Sequence, residues 1–379
     1  MKGKSPVSDN RETCGRATIH DVAQRAGVSH TTVSRVINGY SGVTDKTRLA
    51  VASSIKALGY SPNPAAQSLA NGQRLVLGLC YSNPTDAYFA EILLGCFTQV
   101  NLRKCQLVLK RGDAAAVTRD GVTSLVEEGV DGIVLTPPLC NSTGVLQALS
   151  SAGIPAALVT SGQPAAGFSA VSIDDRRAAR EMTQYLLELG HRRIGFIAGH
   201  PSHSASEQRY LGFTDAMEGA GHPVQAGQVA QSLCTYQSGL EATEYLLTNG
   251  FNPTAIFSCN EDMALAAIAL SFRKGLDVPS DISIAGFDDT PMASTIIPSL
   301  TAVRRPLAEM AREAVRLLVE QLSAERSGRP WLPTHTMMEF SIVKRASTGA
   351  PPMDVAKNRR LLDEVSRRNK ENRTKRMRP

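Results

Sequence analysis

The sequence predicts two folded parts: an all-α helix-turn-helix head, and an α/β body of two doubly wound parallel-sheet lobes. Its 379 residues are 42% hydrophobic and 20% charged, which is ordinary globular composition and more than one domain of chain. Near the N-terminus, two short helical patterns are separated by a glycine. From Leu75 onward, short apolar runs alternate with longer amphipathic stretches, a pattern typical of parallel strands joined by crossover helices.

Charge is segregated along the chain. Residues 1–74 contain 10 basic and 4 acidic side chains, and residues 344–379 contain 12 basic and 4 acidic ones. Residues 75–343 contain 19 basic and 27 acidic side chains, so an acidic body lies between two basic blocks. This segregation indicates that one part of the chain contacts a polyanion, and nucleic acid is the obvious candidate. For the C-terminal block alone, a merely solvated tail is the favoured alternative.

The composition also excludes several classes of protein. The seven cysteines are odd in number and scattered, without a C-x-x-C pair or zinc-finger spacing, so we expect reduced thiols. Residues 1–15 lack the apolar stretch of a secretory signal, and the longest apolar run, 263–270, is too short to span a bilayer. We therefore expect a cytoplasmic protein without membrane contact. No H-E-x-x-H, Walker A or G-x-S-x-G motif occurs, so neither catalysis nor a cofactor is expected.

The first two helices have recognisable ends. Thr18, followed three residues later by Asp21, resembles a capping box and predicts a helix that runs to about residue 26. Gly27 can adopt the left-handed conformation of a sharp turn and so ends this helix. Ser29 then caps a second helix over residues 30–38.

The apolar residues of this region have the spacing of a helix-turn-helix. Ala23 falls where two helices cross, and Val33 and Val36 face inward from the second helix. A third helix, capped by Thr44 and ended at Gly59, closes the core together with Ile37, Leu49, Ile55 and Leu58. An ordinary αα corner is the alternative, which the basic charge of this block makes less favoured.

Polar side chains on the second helix are not needed for the core. A recognition helix enters the major groove with its N-terminus first, so His30 and Thr31 are best placed to contact base edges. Arg35 can reach a base or a phosphate. The hydroxyl groups of Ser29, Thr32 and Ser34 are placed to donate to phosphates. Such contacts position the protein on the duplex but do not specify the base sequence. The predicted DNA-facing set of the head is completed by Thr18 and Asn38.

Several segments of the head resemble the DNA-binding head of the lactose-repressor/galactose-repressor (LacI/GalR) family. They are T-I-H-D-V-A at 18–23, G-V-S at 27–29, T-V-S-R-V-I-N at 32–38, L-G-Y at 58–60 and P-N at 62–63. The resemblance implies that His30 and Thr31 set the operator sequence, and that residues 63–71 form a hinge helix ordered only on DNA. It also implies that Leu69 wedges into the minor groove, with Asn63 and Ala66 as further hinge contacts. Without the resemblance, Leu69 would be assigned to a core.

The body is predicted to contain two lobes because residues 75–343 are more than one doubly wound sheet usually needs. The predicted strands are 75–81, 106–109, 132–136, 156–159, 194–198, 255–259 and 282–287. The predicted helices are 87–103, 117–128, 176–189, 206–220, 241–247, 262–272 and 305–322. A ligand of such a body binds in the cleft at the carboxyl ends of the strands.

The family resemblance continues through the body to about Arg345. It is carried by G-H-R-R-I at 190–194, Arg209 followed by G-F at 212–213, C-N-E-D-M-A at 259–264, and G-F-D-D at 286–289 leading to L-T at 300–301. It implies the fold of periplasmic sugar-binding proteins, with three chain crossings between the lobes. The predicted organisation is a head at 16–62, a hinge helix and linker at 63–74, an effector-binding and dimerisation domain at 75–343, and a basic, disordered tail at 344–379.

Polar residues at strand ends are the predicted effector contacts. Asp288, Asn260 and Asp262 follow predicted strands, and Arg209 lies in the helix after another. Carboxylates, amides and guanidinium groups present paired acceptors and donors to vicinal hydroxyls, and in sugar-responsive family members the matching Arg and Asp grip the effector. The resemblance therefore favours a sugar or sugar derivative. The alternatives are a structural ion pair between Arg209 and Asp288, and a helix cap at Asp262.

The other lobe is expected to contribute Ser82 and Asn83, with Tyr88 or Phe89 stacking on a sugar face, although two aromatic residues at the start of a helix are more often core. Arg305 stands where many family members carry Gln or Lys, and it indicates an acidic effector such as a uronate, or a contact between lobes. His200 and His203, near Glu207, are a weak metal signal, so a loop beside the cleft is the simpler interpretation and no metal is predicted.

These features together predict a homodimeric transcriptional regulator, most simply a repressor. Its two heads would bind the half-sites of a palindromic double-stranded operator, and a sugar or sugar acid in the cleft would change its operator affinity. A corepressor-dependent regulator is one alternative. A solute-binding protein and a sugar-modifying enzyme are others, and the helix-turn-helix counts against the former. The tail has only three clustered apolar residues, too few for a leucine seam, so a dimer is expected.

Overall fold

The computed structural model describes residues 18–37, 40, 42–58, 60, 74–82, 86–111, 129–159 and 165–352. The chain divides between Arg74 and Leu75 into two compact units, a helical head and an α/β body. Within the described segments, no helix has both the length and the apolar character that a bilayer crossing requires. The predicted helix at 117–128 and the predicted hinge at 63–71 lie outside the described residues.

In the part of the head that the structure describes there are three helices, α1 (Ile19–Ala26), α2 (His30–Ile37) and α3 (Asp45–Leu58). The predicted capping box is confirmed, because Thr18 Oγ1 accepts from the Asp21 N–H while the Asp21 carboxylate accepts from the Thr18 N–H at 2.7 Å. These bonds to Thr18 hold the pKa of Asp21 below its usual value. Gly27 ends α1 with φ 64°, as its position after the helix predicts.

The core of the head is small and differs from the prediction at one residue. Its buried members are Val22, Ala23, Val33 and Val51. Placing Leu49 in this core was wrong, because its side chain is 72% exposed. Each residue advances about 100° around a helix, so Leu49 lies nearly opposite Val51, which faces inward. The apolar pattern of α3 left two faces possible, and packing against α1 and α2 selected one.

The first lobe of the body contains a six-stranded parallel sheet in the order β11-β5-β4-β3-β1-β2. Its strands are β1 (Val76–Tyr81), β2 (Gln106–Arg111), β3 (Gly132–Leu135), β4 (Ala156–Val159), β5 (Ser169–Ser172) and β11 (His335–Met337). Its described helices are α4 (Asp86–Leu102), α5 (Thr143–Ala152) and α11 (Leu307–Arg326). Helices α4 and α11 pack so closely that a side chain on Gly95 would lie 2.1 Å from the Ala308 carbonyl oxygen.

A second six-stranded sheet, in the order β12-β10-β9-β8-β6-β7, forms the other lobe. Its strands are β6 (Ile194–Ala198), β7 (Val229–Gln231), β8 (Ala255–Ser258), β9 (Ser283–Asp288), β10 (Thr301–Arg304) and β12 (Ser341–Val343). Its helices are α6 (Asp175–Glu188), α7 (Ser204–Gly219), α8 (Tyr236–Thr248), α9 (Glu261–Arg273) and α10 (Pro291–Thr295). A wholly parallel sheet was predicted for this lobe, but the edge strand β12 runs antiparallel to β10.

Within the described residues the chain crosses between the lobes three times, from β5 to α6, from β10 to α11 and from β11 to β12. These are the crossings that the family resemblance implies. All of them lie at the β5–β11 and β10–β12 edges of the two sheets. The carboxyl ends of the central strands therefore face a cleft that is tied together along one side.

The strands that the sequence pattern missed are β5, β7, β10, β11 and β12, each only three or four residues long. Each of them contains at most two apolar residues, so it lacks the apolar run that marks the equally short β3, β4 and β8. The predicted helix from Arg305 begins two residues later, at Leu307, because Pro306 occupies the N-cap position. The second lobe packs around stacked and edge-on aromatic rings, with Phe196 at 4.8 Å from Phe213 and 5.5 Å from Phe257.

Candidate functional site

The N-terminal end of α2 presents polar side chains to solvent. His30, Thr31 and Arg35 are exposed, while Val33 on the opposite side is buried in the core of the head. The His30 ring lies 5.4 Å from the ring of His20, which projects from α1. The structure therefore places the three predicted base-reading and phosphate-reaching side chains on one accessible surface.

Three hydroxyl groups of this surface, those of Thr18, Ser29 and Thr32, are engaged in capping. Ser29 Oγ accepts from the Thr32 N–H at 3.2 Å and shares a hydrogen bond of 2.9 Å with the Thr32 hydroxyl. Thr18 caps α1, and Ser34 is half-buried. Hydroxyl groups can donate and accept at once, so a cap and a phosphate contact are compatible. The predicted contacts that lie outside the described residues are Asn38, Asn63, Ala66 and Leu69.

In the body, Arg209 is buried at the carboxyl ends of the second sheet. Its Nε donates to Asp175 Oδ1 at 2.8 Å, and its Nη1 donates to the Cys259 carbonyl oxygen at 2.6 Å. Its guanidinium carbon lies 3.7 Å from the centroid of the Phe287 ring. Burial opposes the charge, but the nearby Asp175 and Asp288 outweigh it and raise the pKa of Arg209 above its ordinary value.

Asp288 ends β9 and is paired with Arg305 at the second lobe crossing. Both side chains are buried, and Arg305 Nε and Nη2 both donate to Asp288 Oδ1, the Nε bond at 2.8 Å. Asp288 has φ 104°, a conformation that costs energy in any residue with a side chain. The predicted alternative of a direct Arg209–Asp288 ion pair is therefore not what the structure contains, since each residue has a different partner.

Opposite charges consequently alternate through the buried part of the cleft. Asp175, Arg209, Asp288 and Arg305 form two ion pairs around the Phe287 ring. Asp175 was not predicted because it follows β5, whose sequence S-A-V-S has only two apolar residues and lacks the apolar run that marks the other strands. Its only signal was an Asp-Asp pair before a helical pattern.

Asn260 and Glu261 begin α9 beside this cluster. Asn260 Oδ1 accepts from the Met263 N–H at 3.1 Å as the helix cap, and its Nδ2 donates to the Cys234 carbonyl oxygen at 2.9 Å. The Glu261 carboxylate accepts from the N–H and the hydroxyl of Thr290. Burial raises the pKa of Glu261 to about 7, although the bonds from Thr290 oppose this shift. Asp262 lies half-buried in the first turn of α9, and Asn260 is the residue that caps the helix.

The first lobe contributes aromatic residues from α4. Tyr88 is buried, with its ring 5.6 Å from the Arg305 guanidinium across the lobe boundary. Phe89 stacks on Tyr81 at 4.0 Å, an aromatic partner within its own lobe. Ser82 is half-buried after β1, and Asn83 lies outside the described residues.

Two further polar contacts near the cleft were also missed. Asn141 Nδ2 in the first lobe donates to Ser204 Oγ in the second at 2.7 Å, three strands away from the edge where the chain crosses. The buried Asp289 carboxylate accepts from Arg304 and Arg345, and its residue also has positive φ. Contacts of this kind join residues far apart in sequence, so no local pattern could have predicted them.

The histidines beside the cleft belong to a loop and a helix start. His200 Nδ1 accepts from the Ser202 hydroxyl or N–H at about 3 Å, and His203 occupies the N-cap position of α7. Burial, with help from His200 and Arg209, lowers the pKa of His203 to about 4. Among the described residues, no group of three metal-ligating side chains comes together.

Two family models match the chain. Residues 18–63 match the lacI family of bacterial regulatory proteins, and residues 183–348 match the periplasmic binding protein-like domain. The transcriptional regulator CelR of Thermobifida fusca is 36% identical over 337 residues, which cover 86% of this chain and 98% of that protein. The chain belongs to the LacI family. It is a DNA-binding transcriptional regulator, and the resemblance inferred from its head and body is confirmed.

Solved structures of LacI-family proteins share its fold. The complex of the transcriptional regulator CelR with cellobiose is 33% identical, with a TM-score of 0.66 over 88% of this chain and 100% of that one. The lac repressor dimer bound to operator and the anti-inducer ONPF is 28% identical, with a TM-score of 0.74 over 89% of this chain and 100% of that one. These comparisons confirm the predicted fold class of a helix-turn-helix head and two α/β lobes.

Proposed function

We propose that this LacI-family chain is a homodimeric repressor that binds a palindromic operator and responds to a small sugar or sugar acid in the cleft between its lobes. The observation that carries the proposal is the buried alternation of Asp175, Arg209, Asp288 and Arg305 at the cleft, in a chain that also has an exposed polar recognition helix. Its proposed partner is chromosomal DNA, so we also propose that it works in the cytoplasm.

Operator reading is assigned to the N-terminal end of α2. His30 and Thr31 would contact base edges, and Arg35 a base or phosphate. Phosphate contacts would come from Thr18, Ser29, Thr32, Ser34 and Asn38. On the family resemblance alone, Asn63, Ala66 and Leu69 would contact the minor groove at the operator centre.

The effector is assigned to the cleft of the body. Buried carboxylates and guanidinium groups can hold vicinal hydroxyls in fixed directions, and CelR is a relative solved with cellobiose. The proposed contacts are Ser82, Asn83, Tyr88, Phe89, Arg209, Asn260, Asp262, Asp288 and Arg305. Each buried arginine here is paired with a carboxylate, so we expect a neutral sugar to bind more tightly than the uronate of the same ring.

Binding of an effector would change the relation of the lobes and so the affinity for operator. Thermodynamic linkage makes this coupling reciprocal. The effector lowers the affinity for operator by a certain factor, and bound operator must lower the affinity for the effector by the same factor. A corepressor would produce the opposite sign in the same measurement. We propose binding without turnover, so the sugar would be recovered unchanged.

A second copy of the chain is proposed to cover an apolar face of the body. Leu94 and Phe97 on α4 are more than half exposed. Met292 on α10 is about half exposed, and Ile297, just after α10, is 85% exposed. Residues of α4 and α10 line one cavity of about 420 Å³, so these two helices adjoin each other. Exposed apolar side chains on adjoining helices are typical of subunit interfaces, and the lac repressor is a relative solved as a dimer on operator.

Selection of bound duplexes from a random pool, followed by footprinting, tests the DNA half of the proposal. We expect a palindrome of two half-sites, bound with an affinity that falls steeply with salt. Substituting His30 or Thr31 with Ala should change the selected sequence, whereas Ser53→Ala, on an exposed position of α3, should not. Equal binding of all duplexes would contradict the proposal.

A thermal-shift screen, followed by operator release, tests the effector half. The panel contains cellobiose and matched pairs such as glucose with glucuronate, because a ligand that binds the folded state raises its melting temperature. Asp288→Asn should reduce the shift, and Glu218→Gln on the exposed end of α7 should leave it unchanged. A sugar that stabilises the protein without altering operator binding would contradict the regulatory role.

A further inference from the structure

Two histidine rings meet on the exposed surface of the head. His20 lies in the first turn of α1, and His30 is the first residue of α2. Their ring centroids are 5.4 Å apart with the planes tilted by 43°, and both side chains are exposed. The sequence pattern indicates a DNA contact for His30 and no role for His20, because the two rings come together only when α1 packs on α2.

This contact places His20 beside the surface proposed to enter the major groove. Val22, Ala23 and Val33 fix α1 against α2 in the core of the head, so the position of the His20 ring does not depend on a mobile loop. When the N-terminal end of α2 contacts base edges, a ring touching His30 lies within reach of the groove wall and its phosphates.

We propose that His20 is a further DNA-contacting residue, and that His20 and His30 bind the duplex as a protonated pair. The inference rests on the proposed function. It adds that operator binding takes up protons, so that the operator affinity of the regulator depends on pH in the range where imidazole titrates.

The groups around the pair supply little negative charge. His30 stands at the positive end of the α2 dipole. The charged residues on the three helices of the head are Asp21, Arg25, Arg35, Asp45, Lys46, Arg48 and Lys56. Of these, Asp21 interacts with His20, but its carboxylate is already bonded to Thr18.

Duplex DNA would supply negative charge, because its phosphates would lie next to both rings. The complex then binds more protons than the free protein and duplex do together. By linkage, operator affinity must rise as the pH falls toward about 6.5, the ordinary pKa of histidine. The rise is up to about tenfold per pH unit for each proton taken up.

The experiment measures the dissociation constant of the full chain for its selected operator by fluorescence anisotropy. Ionic strength is held constant from about pH 6 to about pH 8, which brackets the ordinary pKa of histidine. We expect the wild-type constant to rise by up to about tenfold per pH unit for each of the two protons. His20→Gln, which keeps hydrogen-bonding capacity but cannot titrate, should reduce the slope by about half or more, and His222→Gln in the body should keep the full slope.

Calorimetric titration with operator, in two buffers of different ionisation enthalpy, counts the protons directly. We expect net proton uptake for the wild type and the His222→Gln control, and less uptake for His20→Gln. Operator binding with no pH dependence, or a His20→Gln variant with the wild-type slope, would overturn the inference and leave the proposed function standing. Failure to bind any duplex at any pH would overturn both.

Discussion

Arg209 and Asp175 place two opposite charges where water hardly reaches, with side chains 6% and 2% exposed. Removing both charges from water is costly, and the pair persists because its members bond each other and Arg209 also reaches a backbone carbonyl. Arg176, one residue along from Asp175, pairs with Asp215 at the surface instead. The protein thus contains the same kind of ion pair in two environments, one buried and one at the surface.

Arg209→Ala is expected to lower the free energy of unfolding by about 3 to 5 kcal/mol, because it leaves the Asp175 carboxylate buried without its partner. Arg176→Ala is the matched control and should cost much less, because surface ion pairs contribute little to stability. Urea denaturation followed by circular dichroism measures both. Equal losses in the two variants would show that burial of the Arg209 pair has no energetic consequence.

His191 is a buried residue whose titration should make stability depend on pH. Its ring nitrogens bond Thr254, Ser283 and the Gly349 carbonyl oxygen, and burial lowers its pKa. The unfolded chain therefore takes up a proton more readily than the folded one, as also holds for His203, with its pKa of about 4. The contribution of these two histidines to stability should be constant above about pH 6.5 and fall as the pH drops below it. Glu261, whose pKa is raised to about 7, contributes with the opposite sign over this range.

NMR titration of the imidazole resonances, combined with denaturation at about pH 7.5 and about pH 5.5, checks this expectation. The His191 resonance should have its midpoint below the ordinary histidine value of about 6.5. A midpoint at or above the ordinary value, with no loss of stability at the lower pH, would contradict it.

At the scale of elements, one glycine decides how α6 and α7 pack. A Cβ on Gly212 would lie 2.1 Å from the carbonyl oxygen of Arg176, which is backbone and cannot rotate away. Gly219, at the end of the same helix, has nothing within 4 Å of such a Cβ. The glycine at 212 therefore allows the close helix contact that holds Arg209 on α7 near Asp175 on α6.

Gly212→Ala is expected to lower the free energy of unfolding by about 3 kcal/mol or more, because the two helices must separate. Gly219→Ala should be neutral or stabilise by up to about 1 kcal/mol, since alanine is the better helix former. Chemical denaturation of the two variants gives the comparison. A Gly212→Ala protein as stable as the control would show that α6 and α7 can move apart without cost.

At the scale of the whole molecule, dimerisation is proposed to hold two heads for two half-sites. Phe97→Asp puts a charge into the apolar face on α4, and we expect the dimer dissociation constant to rise by at least about tenfold. Leu332→Asp, an exposed leucine before the edge strand at the opposite side of the first sheet, is the control. Sedimentation equilibrium measures both, and an unchanged constant for Phe97→Asp would place the interface elsewhere.

The fold could be predicted from the sequence wherever its signals are local. Thr18, Gly27 and Ser29 mark the ends of helices, and the long alternating runs of the body mark most of its strands and helices. Short edge strands such as β7 and β11 escaped because three residues carry no periodicity, and Leu49 was misplaced because its helix had two plausible apolar faces.

The candidate cleft was only partly predictable, for a related reason. Asn260 and Asp288 stand at strand ends that the sequence marks, and Arg209 lies in the helix after another strand, so their place beside the cleft follows from the rule for parallel sheets. Their partners do not follow from it. Asp175 reaches Arg209, and Arg305 reaches Asp288, through helix packing and a lobe crossing that bring together residues with no common local pattern.

The sequence by itself determined the helix-turn-helix, the two-lobed α/β class and the family, because caps, turns and hydrophobic periods act over a few residues. Only the tertiary structure decided which charges pair in the cleft, that Asn141 bridges the lobes to Ser204, and that His20 meets His30. Those contacts depend on distances between elements remote in sequence, and such distances are set when the packed core fixes one arrangement of helices and sheets.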